Sequence, residues 1–226
     1  MSDVINRFPV VGVIGAGHLA RMAVSPAISL GVTLRLLAAD KNDSAAQICD
    51  HVLGDFRNLE EVLRFAKDCD VVTFENGSTP LSIVKGLEAA GIRVYPRSSS
   101  LELIHEEIQP IADLDSDEIG SKIAVMVAHS PHSQASTWAP TEIIRKNGEC
   151  IRTVTPVRNL LPEQLEQASA RALIIAERIG LVGVMAVEMF LRGEEVFIQN
   201  ISMHPHNSGN WTIDGSVTSQ FEQHLR

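Results

Sequence analysis

The sequence predicts an α/β protein: a doubly wound parallel-sheet N-terminal domain followed by a mixed α+β C-terminal domain. Three observations predict it. Over the first hundred residues, short β-branched apolar runs alternate with helical periodicities. A glycine turn, Gly15-Ala16-Gly17, joins the first such run to the first helix. Beyond residue 120 the pattern changes to short strands paired around hairpin signals, with one long helix between them.

Val10 to Ile14 reads as the first strand, and Leu19, Met22, Ala23 and Ile28 give the helix after the glycine turn its apolar face. Thr33 to Ala38 is a second strand ending at Asp40. Helical patches follow near Ser44 to Cys49 and from Leu59 to Ala66. Asp70 to Phe74 is a third, buried strand; Leu81 to Ala90 is a helix capped by Gly91; Ile92 to Tyr95 is a fourth strand stopped by Pro96. Strands and helices in this alternation require a parallel sheet covered on both faces. This domain is assigned residues 1–100.

Residues 101–120 are assigned to a linker, with a short helical piece from Leu101 to Glu107, then Pro110 and the acids Asp113, Asp115, Asp117 and Glu118. The second domain takes residues 121–226. Ile123 to Ala128 and Ala135 to Trp138 flank a Ser/Pro/His turn, while Glu142 to Arg145 and Cys150 to Val154 flank Asn147-Gly148. A helix runs from Pro162 to Gly180 with Leu165, Ala168, Ala172, Ile175 and Ile179 on one face. Val182 to Phe190 then pairs with Val196 to Ile201 across Arg192-Gly193-Glu194-Glu195.

Composition removes several function classes. The 226 residues carry a formal charge of −9, and no Lys/Arg run offsets it, which disfavours nucleic acid as a partner. No apolar stretch reaches the roughly 18 to 20 residues of a membrane span, and no basic-then-apolar leader opens the chain, so a reducing cytoplasm is expected. The cysteines, Cys49, Cys69 and Cys150, are odd in number and spaced like neither a zinc site nor a redox pair, and read as buried thiols.

Two places carry chemistry. Gly15-x-Gly17 after a first strand, with Asp40 ending the second, fits a phosphate held at a helix N-terminus and an acid on ribose hydroxyls, the dinucleotide pattern of a dehydrogenase. It fits equally a turn that any doubly wound sheet needs. The second is Glu188, a carboxylate within the apolar run Val182 to Phe190, followed by Gln199-Asn200 and by Pro205 to Thr212. A carboxylate in such a strand needs a cation or hydrogen-bond donors. With an oxygen ligand at Asn200 facing the same point it could hold magnesium under a nucleotide triphosphate; an arginine partner at the sheet rim is the other account.

The segments Gly15-Ala16-Gly17-His18-Leu19-Ala20-Arg21-Met22, Val71 to Glu75, Glu188, His206-Asn207-Ser208-Gly209 with Trp211-Thr212, and Ser219 to Leu225 together resemble the 5-(carboxyamino)imidazole ribonucleotide synthases. These ATP-grasp enzymes are also called the ATPase subunit of phosphoribosylaminoimidazole carboxylase. The resemblance covers nearly the whole chain, from Val10 to about Leu103 and from about Ile123 to Arg226. It implies an ATP-grasp-like C-terminal domain and a ligase of purine biosynthesis. ATP phosphorylates bicarbonate, and the amine of 5-aminoimidazole ribonucleotide captures the carboxyl group.

By the same resemblance ATP is bound at Glu188, Gln199 and Asn200, with Glu188 and Asn200 on magnesium. The ribonucleotide lies among Gly15, Gly17, His18, Glu75, His206, Asn207, Ser208 and Gly209, the backbone turn at Ser208-Gly209 offering donors to phosphate. A homodimer through the N-terminal domain is implied as well. No catalytic residue is assigned.

The chain departs from the family's pattern in several places. The family has glutamate at Asn200, asparagine at Gln199, arginine at His204 and histidine at Asn210. It inserts a complete lid domain between Glu107 and Ser121, with a lysine and a glycine-rich loop over the phosphates, and continues beyond the Gln223-His224-Leu225 segment. The expected function is therefore the ligase. The alternatives are a catalytically impaired remnant that binds a ribonucleotide or a partner, and an NAD(P)-dependent dehydrogenase.

Overall fold

A computed structural model describes residues 8–107, 122–146, 149–192 and 195–226, and these fall into two compact units. The first comprises residues 1–97 together with 225–226, the second residues 98–224.

The first unit is built on a parallel sheet. Its elements run β1 (Val10–Ile14), α1 (His18–Leu30), β2 (Thr33–Ala38), β3 (His51–Leu53), α2 (Leu59–Ala66), β4 (Val71–Phe74) and α3 (Leu81–Ala89). The sheet order is β3-β2-β1-β4, so β1 lies inside, Gly12 facing Arg35 on one side and Val72 on the other. Gly12 has to be glycine: a Cβ there would meet Cys69 Sγ at 2.6 Å and the Phe65 ring at 3.1 Å. Helix α1 stops at Gly31, whose φ of 66° is a left-handed C-cap. Helix α2 starts at Asn58, whose side chain accepts from the Glu60 N–H at 3.1 Å.

Two expectations change here. Ile92 to Tyr95 forms no strand, only a bridge between Val72 and Val94, because Pro96 follows directly and has no N–H to extend a ladder. Ser44 to Cys49 makes turns rather than a helix. Ala45 N–H donates to Ala16 O at 2.7 Å, and the Arg21 guanidinium to Ser44 O at 2.7 Å, fastening this segment to the glycine turn. The short strand β3 has too few residues to show a period in the sequence.

The second unit begins with α4 (Ser98–Glu107), followed by β5 (Lys122–His129), β6 (Ala135–Thr137), β7 (Thr141–Lys146), β8 (Glu149–Val154), α5 (Pro162–Arg178), β9 (Gly183–Arg192) and β10 (Glu195–Ser202). A 3-10 turn (Asn207–Gly209), α6 (Thr212–Gly215) and α7 (Gln220–Leu225) complete it. The sheet is antiparallel in the order β10-β9-β5-β7-β8, with β6 on β5. The expected linker differs in its first part. Residues 101–107 belong to α4, where Leu101, Leu103 and Ile104 pack on the core of this unit, and the division between units falls at Arg97/Ser98. The acids from Asp113 to Glu118, Asn147-Gly148 and the Gly193-Glu194 tip lie outside the described residues.

Alternation divides this sheet into two faces. Ile123, Val125 and Val127 on β5 and Met185, Val187 and Met189 on β9 face α5, whose Ala168, Ala172 and Ala176 are fully buried and let the helix lie close. Ala124, Met126 and Ala128 on β5 and Ala186, Glu188 and Phe190 on β9 take the opposite face. Among the described residues no helix is long and apolar enough to cross a membrane.

Candidate functional site

The two units hold separate parts of the expected site. In the first, Gly15, Gly17, His18 and Glu75 do come together, at the end of β1 and the start of α1. Glu75 follows β4, its N–H donating to Ile14 O at 3.0 Å, and it is only 6% exposed. Its carboxylate lies over the helix N-terminus, accepting from Gly17 N–H at 2.6 Å, Leu19 N–H at 3.2 Å and Ala20 N–H at 3.4 Å. The positive end of α1 and its orphan N–H groups favour an anion, and the chain supplies its own. The glycines follow from that contact. A Cβ on Gly15, whose φ is +109°, would meet Glu75 Oε2 at 2.7 Å, and one on Gly17 would strike Oε1. The dehydrogenase reading is therefore corrected: the donors that would hold a dinucleotide phosphate are already bonded to Glu75. His18, the first residue of α1, is exposed.

In the second unit Glu188 and Asn200 are cross-strand partners, and the Asn200 amide donates to Glu188 Oε2 at 3.1 Å. Strict alternation from Ile198, which packs with the α5-side core, would have sent Asn200 to that same face. A β-bulge intervenes. Met189 pairs with Ile198 and Glu188 with Asn200, so Gln199 is the extra residue and Asn200 turns to Glu188's side. Ile201 and Met203 then resume contact with the core. Gln199 and Asn200 are exposed, while Glu188 is 6% exposed. Two residues along the strand from Phe190, Glu188 shares its face, and Phe190 stacks on Phe197 at 5.1 Å between centroids.

The turn from His206 to Gly209 rests on the same sheet face. Ser208 is buried with its Oγ 3.7 Å from Met126 Sδ, and Met126 pairs with Ala186, two residues from Glu188. His206 caps the 3-10 turn. Its Nδ1 accepts from Ser208 N–H at 3.3 Å and lies 2.8 Å from Ser208 Oγ, so in the neutral ring the proton is on Nε2. The expectation that the Ser208-Gly209 backbone presents donors to phosphate is corrected by this geometry. Ser208 N–H is held by the His206 ring, Gly209 N–H by His206 O at 2.9 Å, and Asn210 N–H by Asn207 O at 3.2 Å. The turn therefore offers side chains rather than amides.

Beside it lies a cavity of about 560 Å³, lined by Trp138, Trp211, Ser130, Ser136, Ser216 and Gln223 among others, and none of its lining residues is ionisable. Trp138 Nε1 donates to Thr218 O at 3.0 Å and to Ser216 Oγ at 3.2 Å, tying the end of β6 to the 216–218 segment. The sequence pointed to the tryptophan of the His206–Thr212 segment but not to this cavity. It also gave no role to Gln220, which is fully buried against the turn.

No three His, Cys, Asp or Glu side chains converge for a metal among the described residues. A magnesium ion that arrives on a polyphosphate needs only one or two carboxylates from the protein. Glu188 supplies one and the Asn200 carbonyl a neutral oxygen, so this donor set fits such an ion and no metal cage of the protein's own.

Histidines flank the turn. Burial pushes His224 down to about 4, with the nearby His204 a lesser cause; burial likewise lowers His204, against its Nδ1–H bond to Pro205 O at 2.7 Å. A base depressed in the folded state stabilises the fold above its unfolded value near 6.5 and loses that contribution as pH falls toward about 4. Urea unfolding between pH 7 and pH 4 should show the wild type losing about 3 kcal/mol more than His224→Leu over that window. Equal slopes would show that His224 titrates normally. In the first unit, Glu75→Ala leaves three backbone donors of α1 without their acceptor, a loss of about 3 kcal/mol in the same assay. A change under about 1 kcal/mol would mean that water replaces the carboxylate.

Comparison with known proteins bears on both units. Residues 8–105 match the model of the ribonucleotide synthetase preATP-grasp domain, and residues 118–221 match that of the ATP-grasp domain. The N5-carboxyaminoimidazole ribonucleotide synthase of Corynebacterium ammoniagenes is 30% identical over 298 aligned residues, which take in 98% of this chain and 72% of the relative. That of Mycobacterium tuberculosis is 30% identical over 291, with 96% and 68% covered. Both alignments are longer than this 226-residue chain, so the relatives carry internal segments that have no counterpart here.

Among solved structures, the Aspergillus clavatus N5-carboxyaminoimidazole synthase in complex with ADP and 5-aminoimidazole ribonucleotide superposes with a TM-score of 0.86 at 24% identity, over 97% of this chain and 76% of that one. The Thermus thermophilus synthetase gives 0.85 at 24% identity, over 96% and 77%. These likenesses match the parallel-sheet and antiparallel-sheet units described above. The chain belongs to the N5-carboxyaminoimidazole ribonucleotide synthase family of ATP-grasp ligases.

Proposed function

We propose that the chain binds ATP with magnesium, bicarbonate and 5-aminoimidazole ribonucleotide, and that the reaction it serves is the ATP-dependent carboxylation of that ribonucleotide in purine biosynthesis. The observation that carries the proposal is the Glu188–Asn200 pair, a carboxylate and a carbonyl on one sheet face beside the His206 turn, in a chain whose relatives are synthases of this kind. The proposed reading also includes a homodimer in the cytoplasm.

Each part of the site has a role in this reading. Glu188 and Asn200 hold the metal, which when bound neutralises phosphate charge. Gln199, at the bulge, lies beside the polyphosphate. The His206 ring, with its proton on Nε2, donates to the ribonucleotide, and Asn207 lies next to it on the exposed side of the turn. The uncharged cavity suits the neutral part of a ribonucleotide: indoles for a ring, and hydroxyls and amides for the sugar. Glu75 serves the first unit from inside, by fixing the shape of the Gly15–Gly17 loop.

In this reading, turnover in this chain is slow. Only fourteen residues join Glu107 to Lys122, too few for the lid that covers the phosphates in relatives of this type, and four of them are the acids Asp113, Asp115, Asp117 and Glu118. Each preorganised electrostatic donor removed from a site costs about 100-fold to 1,000-fold in rate. Without cover, a carboxylated phosphate is open to water.

A coupled ADP assay with ATP, magnesium, bicarbonate and the ribonucleotide should therefore show turnover at least about 100-fold below an intact relative. A chimera carrying that relative's lid between Glu107 and Ser121 should recover. Turnover within about tenfold of the relative would refute the role given to the lid, and absence of binding by ATP and ribonucleotide alike would refute the functional reading. Asn200→Glu restores a second hard anionic ligand and should tighten magnesium-dependent ADP binding in calorimetry. Identical affinities in the two proteins would remove Asn200 from the metal site.

A further inference from the structure

Gln220 is the first residue of α7 and is fully buried, a neutral polar side chain in a place where every hydrogen bond has to be made internally. It makes them all to one segment. Its Oε1 accepts from His206 N–H at 2.8 Å, and its Nε2 donates to His206 O at 2.8 Å and to Asn210 Oδ1 at 3.1 Å. The carboxamide thus pairs with the His206 peptide as a neighbouring strand would, and reaches past the turn to Asn210 on its far side. Its backbone N–H donates to Thr212 Oγ1 at 2.9 Å, and that hydroxyl donates to Gly209 O at 2.6 Å. Gly209 is pressed against it: a Cβ there would meet Gln220 Oε1 at 2.5 Å.

Both amide protons and the carbonyl of Gln220 are used, so the orientation of the group is dictated by its partners. Exchanging O and N would set two donors against the His206 N–H and an oxygen against two oxygens. We propose that Gln220 is the positioning residue of the His206–Asn210 turn: it fixes both ends of the turn before ligand arrives, and so sets the direction of the His206 ring and the Asn207 side chain. Without it the turn keeps its internal bonds and the backbone link through Thr212, yet loses the side-chain attachment that holds His206 and Asn210 to α7 and sets their angle to the sheet face that carries Glu188. Because its partners are peptide groups and an amide, it acts through the turn and touches no ligand itself.

The consequence for binding rests on the functional reading above, and the test separates the two. In wild-type protein, hydrogen exchange of the 204–212 peptide should show the His206 amide protected without ligand and little changed by it. An amide that exchanges freely until ligand is added would overturn the proposal, whatever the ligand proves to be. Gln220→Glu keeps the size but places an oxygen against His206 O. At pH 8 its affinity for 5-aminoimidazole ribonucleotide should fall about tenfold or more, while magnesium–ADP binding at Glu188 changes less than about threefold.

Near pH 5 the protonated carboxyl both accepts and donates, as the amide does, and the ratio of variant to wild-type affinity should return toward one. His204, His206 and His224 also face this region, so each comparison is made against the wild type at the same pH. Equal losses of ribonucleotide and ADP binding that follow the thermal midpoint, or a folded Gln220→Glu that binds as the wild type does at pH 8, would overturn the proposal. Gln220→Leu, which cannot recover at low pH, is the control for the acid arm. If wild-type protein binds neither ligand, the functional reading falls and the exchange result still decides the role of Gln220.

Discussion

Strand β9 has to be apolar on the face toward α5 and carry an acid on the other, and the site in the second unit depends on that division. Met185, Val187 and Met189 meet the alanines of α5, while Glu188 between them looks the opposite way. The alternation alone places Glu188 opposite the core. It does not give Glu188 a partner, because β10 in plain register would have turned Asn200 inward. The single added residue at Gln199 supplies the partner, and it does so without disturbing the core contacts of Ile198 before it or Ile201 after it.

The two units solve the same problem, a nearly buried carboxylate, in different ways. Glu75 is met by three backbone N–H groups of α1 and the positive end of that helix, a saturated arrangement that closes the glycine loop to other anions. Glu188 takes a hydrogen bond from the exposed Asn200 amide across the strand pair, on a sheet face rather than at a helix end. Two acids with the same 6% exposure therefore have opposite chemical meaning. One completes the fold of a loop, and in the proposed reading the other is shared with a ligand. The glycines at 15 and 17 belong to the first case, since both approach the carboxylate more closely than any side chain would permit.

Much of the architecture was legible in the chain itself. The parallel unit followed from the alternation of β-branched runs and helices, and the helix from Pro162 followed from its alanine and leucine spacing. The pairing of Glu188 with Asn200 on one face was anticipated from strand proximity, although the bulge that makes it possible leaves no mark in the residue pattern. Long-range hydrogen bonding was not legible. Nothing local to Gly15 says that its loop is occupied by Glu75, fifty-eight residues beyond Gly17. Each glycine-rich turn reads as an anion cradle until its donors are counted. The helical piece from Leu101 to Glu107 was read as part of a linker for a related reason: its few apolar residues acquire meaning only against the core of the second unit.

In the proposed reading, an amide at position 200, where the resemblance implies a carboxylate, changes more than metal affinity. Two carboxylates directly opposite each other on paired strands repel unless a cation lies between them. Such a site gains stability when metal binds and loses it when metal leaves. With Asn200 the pair is bonded already, through Nδ2 to Glu188, and its cohesion does not wait for an ion. The turn from His206 to Asn210 shows the same character, closed by its own amides and by Gln220 before any ligand is present. A site assembled by hydrogen bonds among neutral groups and one carboxylate is preorganised in shape but poor in charge. Shape recognises the uncharged portion of a ligand, whereas the stabilisation of phosphoryl transfer requires fixed charge where it develops. In the proposed reading, the residues of this unit are therefore better arranged to hold a ribonucleotide than to turn it over.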